Sequence, residues 1–149
     1  MASTFTLDDA IQLARRAHEG QLDKSGRPYI WHPLRVMGRV SGDRERMVAV
    51  LHDVVEDTEV TTEDLVQAGC PSDVLQAVDA ISQRPGEDHE AYLARVAAND
   101  LALLVKRADI ADNCSPERMA RLDEATRERL RIKYADALRL LDEYVAGAG

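Results

Sequence analysis

Cysteine is scarce in this chain, two in 149 residues, and Cys70 and Cys114 stand far apart with no CxxC spacing. That excludes a disulfide framework and a zinc knuckle, and the reduced thiols of a cytoplasmic protein are the simpler reading. Positive charge is also short: 19 Lys and Arg stand against 27 Asp and Glu, for a net charge of −8. A nucleic-acid-binding surface needs clustered cations to neutralise phosphates, so nucleic acid is not an expected partner. A small phosphorylated ligand needs only a few local cations and stays open. No long apolar run is present, and the N-terminus lacks the apolar core of a signal peptide, so no membrane partner is expected. Strand-like alternation, internal repeats and low-complexity linkers are missing too.

What is present is helix after helix. Thr6 reads as an N-cap with Asp8 and Asp9 in the first turn, and Ala10, Ile11, Ala14 and Ala17 recur at helical spacing up to His18 and Gly20. Residues 21–29 hold Gly26 and Pro28 and must form a loop. A second helix starts after Trp31, with Pro33 in its first turn and Leu34, Val36, Met37 and Val40 as its apolar set. A third carries Met47, Val48, Val50 and Leu51. Further helices follow around Thr61 to Asp64, stopped by Gly69-Cys70-Pro71; around Val74, Leu75, Val78 and Ile81; around Tyr92, Leu93 and Val96; and over 101–113. Ser115-Pro116 ends that element. Residues 118–145 read as one long helix or a broken pair with Leu130, Tyr134, Leu138 and Leu141 on one face, and 147–149 as a frayed tail. The expectation is an all-α, single-domain helical bundle over 1–149.

The chemistry concentrates in Leu51-His52-Asp53-Val54-Val55-Glu56-Asp57-Thr58. If this run is helical, His52 and Glu56 share one face and Asp53 and Asp57 the neighbouring one. The plain alternative is a solvated acidic turn. His32, wedged between Trp31 and Pro33, is either a satisfied core histidine or a positioned ligand. Asp109 follows the apolar run Leu103-Leu104-Val105, where an acid is costly unless paired or bound to a metal; a cap or a salt bridge to Arg107 or Arg118 is the alternative. Together, two histidines and two aspartates from three helices make a credible set of ligands for one divalent cation with positions left for water. Glu56 and Asp57 are then near that water, one as general base or acid and one orienting it. No nucleophilic Ser or Cys is obvious, which fits direct hydrolysis by water.

The pattern His32, His52-Asp53, Asp109 resembles the HD superfamily of metal-dependent phosphohydrolases. Several stretches are more narrowly similar to the hydrolase domain of the RelA/SpoT family and its small alarmone hydrolases. They are Ala17-His18-Glu19-Gly20-Gln21, Lys24-Ser25-Gly26-Arg27-Pro28-Tyr29-Ile30-Trp31-His32-Pro33, the run over 51–58, and Val105-Lys106-Arg107-Ala108-Asp109 with Asn113. The similarity runs over about 6–113, leaving a C-terminal helical segment over about 117–146. It implies an HD-type fold and one manganese ion, or another divalent transition metal, held by His32, His52, Asp53 and Asp109. Glu56 and Asp57 would act on the attacking water, releasing pyrophosphate from the 3′ position of guanosine tetra- or pentaphosphate. Lys24, Ser25 and Asn113 match positions near the nucleotide. The synthetase half of long family members is not expected in this chain.

Two departures fall in the nucleotide pocket and leave the metal positions intact. Asp23 stands where long members carry an arginine that packs on the base, and a carboxylate cannot stack that way. Pro116 stands where a threonine is usual. Elsewhere, Arg35 and Arg39 follow His32 by one and two turns and are candidates for substrate phosphate, as are Lys106 and Arg107, one of which is expected to pair with the acidic run. His18 is expected to position the loop over 21–29, and His89 to lie on the surface. Three functions remain: an alarmone-type 3′-pyrophosphohydrolase, a phosphatase or pyrophosphohydrolase on another phosphorylated nucleotide or dinucleotide cofactor, and a non-catalytic binding module.

Overall fold

The computed structural model describes residues 5–148, and among them the chain forms ten helices and no strand. In order they are α1 (Leu7–Ala17), α2 (Trp31–Gly38), α3 (Asp43–Leu51), α4 (Val54–Asp57), α5 (Thr62–Ala68), α6 (Ser72–Ile81), α7 (His89–Ala97), α8 (Asp100–Asn113), α9 (Pro116–Met119) and α10 (Glu124–Ala148). The starts are set chemically. Thr6 and Thr61 each close a capping box with the aspartate three residues on, Asp9 and Asp64, which satisfies two otherwise orphaned backbone donors apiece. Gly69 ends α5 in the left-handed conformation at φ 95°, where a side chain would be strained.

Five consecutive apolar residues, Met47, Val48, Ala49, Val50 and Leu51, leave the second half of α3 no polar face to turn outward, and all five are buried. A helix apolar on every side belongs in the centre. There α3 packs against α1, α2, α6 and α8, while α10 lies across α7 and α8. The arrangement brings the start of α2, the end of α3 and the last turns of α8 to one end of the bundle.

Three expectations are corrected. The run 51–58 is not one helix: α3 stops at Leu51, His52 is its C-cap, and Asp53 precedes the separate single turn of α4. His52 therefore does not share a helix face with Glu56. Ser115-Pro116 does end α8, but it also opens α9, with proline at the first helical position and the Ser115 hydroxyl accepting from the Arg118 amide. The chain after Asn113 is accordingly a broken pair, and α10 starts after Asp123, which accepts from the Thr126 amide and hydroxyl. On α10, Leu138 is 37% exposed, and the buried residues are Leu130, Ala137, Leu140 and Leu141. A strict four-residue step drifts by roughly 40° each time on a 3.6-residue helix, so by Leu138 it has left the contact face. The frayed tail is not seen at Gly147, which lies within α10; Gly149 lies outside the described residues.

The burial of α10 yields a paired test. Leu141→Ala removes a fully buried side chain and should destabilise the fold by about 2–5 kcal/mol in urea unfolding. Leu138→Ala should stay within about 0.5 kcal/mol of the parent. Equal effects would contradict the packing of this helix.

Candidate metal centre

His32 comes from the first turn of α2, His52 and Asp53 from the break between α3 and α4, and Asp109 from the last turns of α8. His32, His52 and Asp109 are buried, and each offers a ligand atom within 4.8 Å of the others. His32 Nε2 lies 2.7 Å from Asp109 Oδ1 and 3.9 Å from Asp53 Oδ2. His52 Nε2 lies 3.0 Å from Asp53 Oδ2 and 3.3 Å from Asp109 Oδ1.

The tautomer of His52 carries the argument for a cation. Its Nδ1 donates to the Ala49 carbonyl at 2.5 Å, so the neutral ring bears a lone pair on Nε2. Among the described residues that buried nitrogen has no hydrogen-bond partner. A lone pair facing two carboxylate oxygens in a buried space is repulsive unless positive charge sits between them. Burial disfavours a charged His52, yet the carboxylates of Asp53 and Asp109 raise its pKa well above the ordinary value. Burial likewise pushes Asp53 and Asp109 up, and His52 overcomes it and holds both low. The same field would hold a divalent cation. Two imidazoles with two carboxylates suit a first-row transition metal, so the residues present fit one.

Surrounding groups fix the carboxylates. The Tyr29 hydroxyl donates to Asp53 Oδ2, and burial together with the Asp53 charge drives its pKa far up, which keeps it a donor. Lys106 Nζ donates to Asp109 Oδ2 at 3.3 Å and Asn113 Nδ2 to Oδ1 at 3.2 Å. Burial opposes charge on Lys106, but Asp109 holds its ammonium protonated. Beside this cluster Glu56 and Asp57 reach an open cleft. Glu56 Oε1 accepts from the Gln83 amide at 2.6 Å, which fixes its direction. Partial burial raises both acids above their ordinary range, with Asp57 pushed further by Asp53.

The cleft holds about 340 Å³. Its polar lining includes Asp53, Glu56, Asp57, Lys106, Asp109 and Asn113, and Leu22, Leu122, Leu130 and Tyr134 line it too. Lys24 and Ser25 line it as well, on the loop over 21–29. That loop is pinned by Asp23, whose Oδ1 accepts from the amides of Ser25 at 2.8 Å and Arg27 at 3.0 Å. Gly26 permits the turn with φ 78°. His18 does position the loop: its Nδ1 meets Gln21 Oε1 at 2.8 Å, and Gln21 Nε2 donates to the Asp57 carbonyl at 2.9 Å.

Of the sequence candidates, His32, His52, Asp53, Glu56, Asp57, Asp109, Lys24, Ser25 and Asn113 come together here. Arg35 does not line the cleft; its Nε donates to Asp112 at 3.0 and 3.2 Å. Arg39 also faces Asp112, at 3.8 Å. Arg107 pairs with Asp142 of α10 instead of substrate or the acidic run, and Lys106 pairs with Asp109. His89 lies half-buried at the surface, in a hollow it shares with Lys106. Sequence reading gave no role to Tyr29 or Asp112, and offered Arg118 only as an alternative partner of Asp109, whereas it pairs with Asp112. Tyr29 lies within a quoted motif, but a tyrosine three residues before a histidine carries no signal of its own.

No protein-family model matches the chain. A guanosine-3′,5′-bis(diphosphate) 3′-pyrophosphohydrolase of Vibrio cholerae is 44% identical over 81 residues, 52% of this chain and 11% of that protein. A GTP pyrophosphokinase of Streptomyces coelicolor is 34% identical over 150 residues, 90% of this chain and 18% of that protein. The chain thus spans between a tenth and a fifth of the length of these curated relatives. A solved structure of a metazoan ortholog of SpoT that hydrolyzes ppGpp superposes with a TM-score of 0.71 at 24% identity, covering 96% of this chain and 95% of that one. By sequence the chain resembles the hydrolase domain of the RelA/SpoT family, and its all-α fold is that of an HD-type domain.

Proposed function

We propose that this protein is a metal-dependent phosphohydrolase acting on a small phosphorylated nucleotide in the cytoplasm. Its favoured substrate on this reading is guanosine 3′-diphosphate of the (p)ppGpp type, from which it releases the 3′-pyrophosphate. The observation that carries the reading is the orphaned Nε2 of His52, buried against two carboxylates and next to a cleft lined by Glu56 and Asp57. The names of the relatives support the substrate class.

His32, His52, Asp53 and Asp109 would hold one Mn²⁺ or a similar divalent ion. When bound, such an ion supplies Lewis acidity at phosphoryl oxygen and makes water a competent nucleophile near neutral pH. Glu56, aimed by the Gln83 amide, takes the proton of the attacking water. Asp57 orients that water. Lys106, Lys24 and Asn113 place cationic and amide donors where phosphate oxygens lie in the cleft.

A second reading, an HD-type hydrolase of another phosphorylated nucleotide or cofactor, is favoured by Asp23. Its side chain lines the cleft and Oδ2 faces the guanidinium of Arg118 at 3.8 Å. That end of the pocket presents a carboxylate–guanidinium pair.

Purified protein with Mn²⁺ should release pyrophosphate, rather than orthophosphate, from guanosine 3′-diphosphates in a panel of nucleotides. His52→Ala and Glu56→Ala should each lower kcat by at least about 100-fold. Turnover unchanged in both variants would remove the site, and orthophosphate release would move the assignment to the second reading. Mn²⁺ binding should also raise the unfolding free energy of the metal-free protein, by about 2.7 kcal/mol at 100 times Kd. His52→Ala should abolish that rise, and a rise of equal size in the variant would place the ion elsewhere.

A further inference from the structure

Asp112 is 1% exposed and lies in the last turn of α8. A carboxylate there is disfavoured by the partial negative charge of the helix C-terminus, so it needs compensation from outside the helix. Three arginines supply it: Arg35 Nε at 3.0 and 3.2 Å, Arg118 Nη1 at 3.2 Å and Arg39 Nε at 3.8 Å. The remaining neighbour of this clamped anion is His32, whose Nδ1 lies 2.6 Å from Asp112 Oδ2. Asp109, three residues earlier on the same helix face, meets the other ring nitrogen, Nε2, at 2.7 Å.

We infer that Asp112 is a positioning residue for the metal centre: it holds the proton of His32 on Nδ1 and so presents the Nε2 lone pair to the cation. This rests on the reading of His32 as a metal ligand. The proton assignment follows from chemistry. An ionised carboxylate only accepts, so Nδ1 donates to Asp112, while Asp109, at the other nitrogen, belongs to the ligand set and would share the cation with Nε2 in place of a proton. Arg118 Nη1 also lies 3.1 Å from Nδ1, but guanidinium is an obligate donor, and its hydrogens have Asp112 Oδ2 at 3.2 Å and Asn113 Oδ1 at 2.7 Å to go to. The two imidazoles are thereby oriented by different means. His52 gives its Nδ1 proton to a neutral backbone carbonyl, whereas His32 gives its own to a carboxylate.

The test uses ¹⁵N-histidine NMR on the metal-free wild-type protein together with calorimetric titration of Mn²⁺ alone. In the wild type, the His32 Nδ1 should carry a proton in a strong hydrogen bond; a bare Nδ1 overturns the inference. In Asp112→Asn, the amide can turn its NH₂ toward Nδ1 and drive the ring to the other tautomer. Mn²⁺ affinity should then fall about 10–100-fold, with the His32 nitrogen shifts exchanged and the helical circular dichroism unchanged. His32→Ala separates the two levels of argument. If it binds Mn²⁺ like the wild type, the metal reading fails. If it loses Mn²⁺ while Asp112→Asn keeps wild-type affinity and the wild-type tautomer, the positioning role alone fails. Should Asp112→Asn not fold, the wild-type tautomer still decides.

Discussion

Mutual repulsion among buried acceptors is the constraint on which this fold turns. His32 Nε2, His52 Nε2, Asp53 Oδ2 and Asp109 Oδ1 converge within a few ångströms of one another, with His52 Nε2 left without a partner among the described residues. With no positive charge among them, whether a proton or a cation, such a cluster would push apart the three segments that carry it. It is held by the packing of α3 against α2 and α8, and by donors on its periphery: Tyr29 on Asp53, and Lys106 and Asn113 on Asp109. The apolar second half of α3 thus does more than fill the core. It anchors His52 rigidly enough that the repulsion becomes an affinity for positive charge.

The break after Leu51 shows why part of the site was legible in sequence and part was not. His52, Asp53, Glu56 and Asp57 are adjacent in the chain, and a histidine with three acids beside apolar neighbours stands out whatever the backbone does. His32 and Asp109 stand out for a related reason, as polar groups in apolar surroundings, and resemblance to a known family tied them together. The geometry did not follow from spacing. A continuous helix would have put His52 with Glu56; the break instead leaves His52 inside with Asp53 and lets Glu56 and Asp57 reach the cleft. Local pattern identifies which residues are unusual, and only tertiary structure decides which of them meet.

Asp112 and Arg118 mark the limit more sharply. An aspartate beside an asparagine at a helix end, and an arginine in a charged C-terminal stretch, are ordinary surface residues by every local criterion. Their roles come from α9, a single turn that carries Arg118 back over α8. Arg35 was singled out for the correct reason, its position one turn after His32, but its guanidinium is drawn to the buried Asp112 and away from the cleft. A fully buried anion outcompetes an open cavity for the nearest cation, because removing its partner would leave charge in a low-dielectric interior.

Arg118 also connects the metal end of the site to the loop that precedes His32. One nitrogen reaches Asp112 and Asn113, and the other faces Asp23, which in turn pins the backbone carrying Lys24 and Ser25. A side chain in contact with both ends cannot move without disturbing each. The pair Asp23–Arg118 therefore keeps the loop in register with α8 while lining the cleft with matched charges. A ligand entering there meets a carboxylate already shared with its own turn and with a guanidinium, so it can gain polar contacts only by displacing part of that network. On the proposed function, selection among nucleotides would be a competition between ligand groups and Arg118 for Asp23, separate from the chemistry that His32, His52, Asp53 and Asp109 would support.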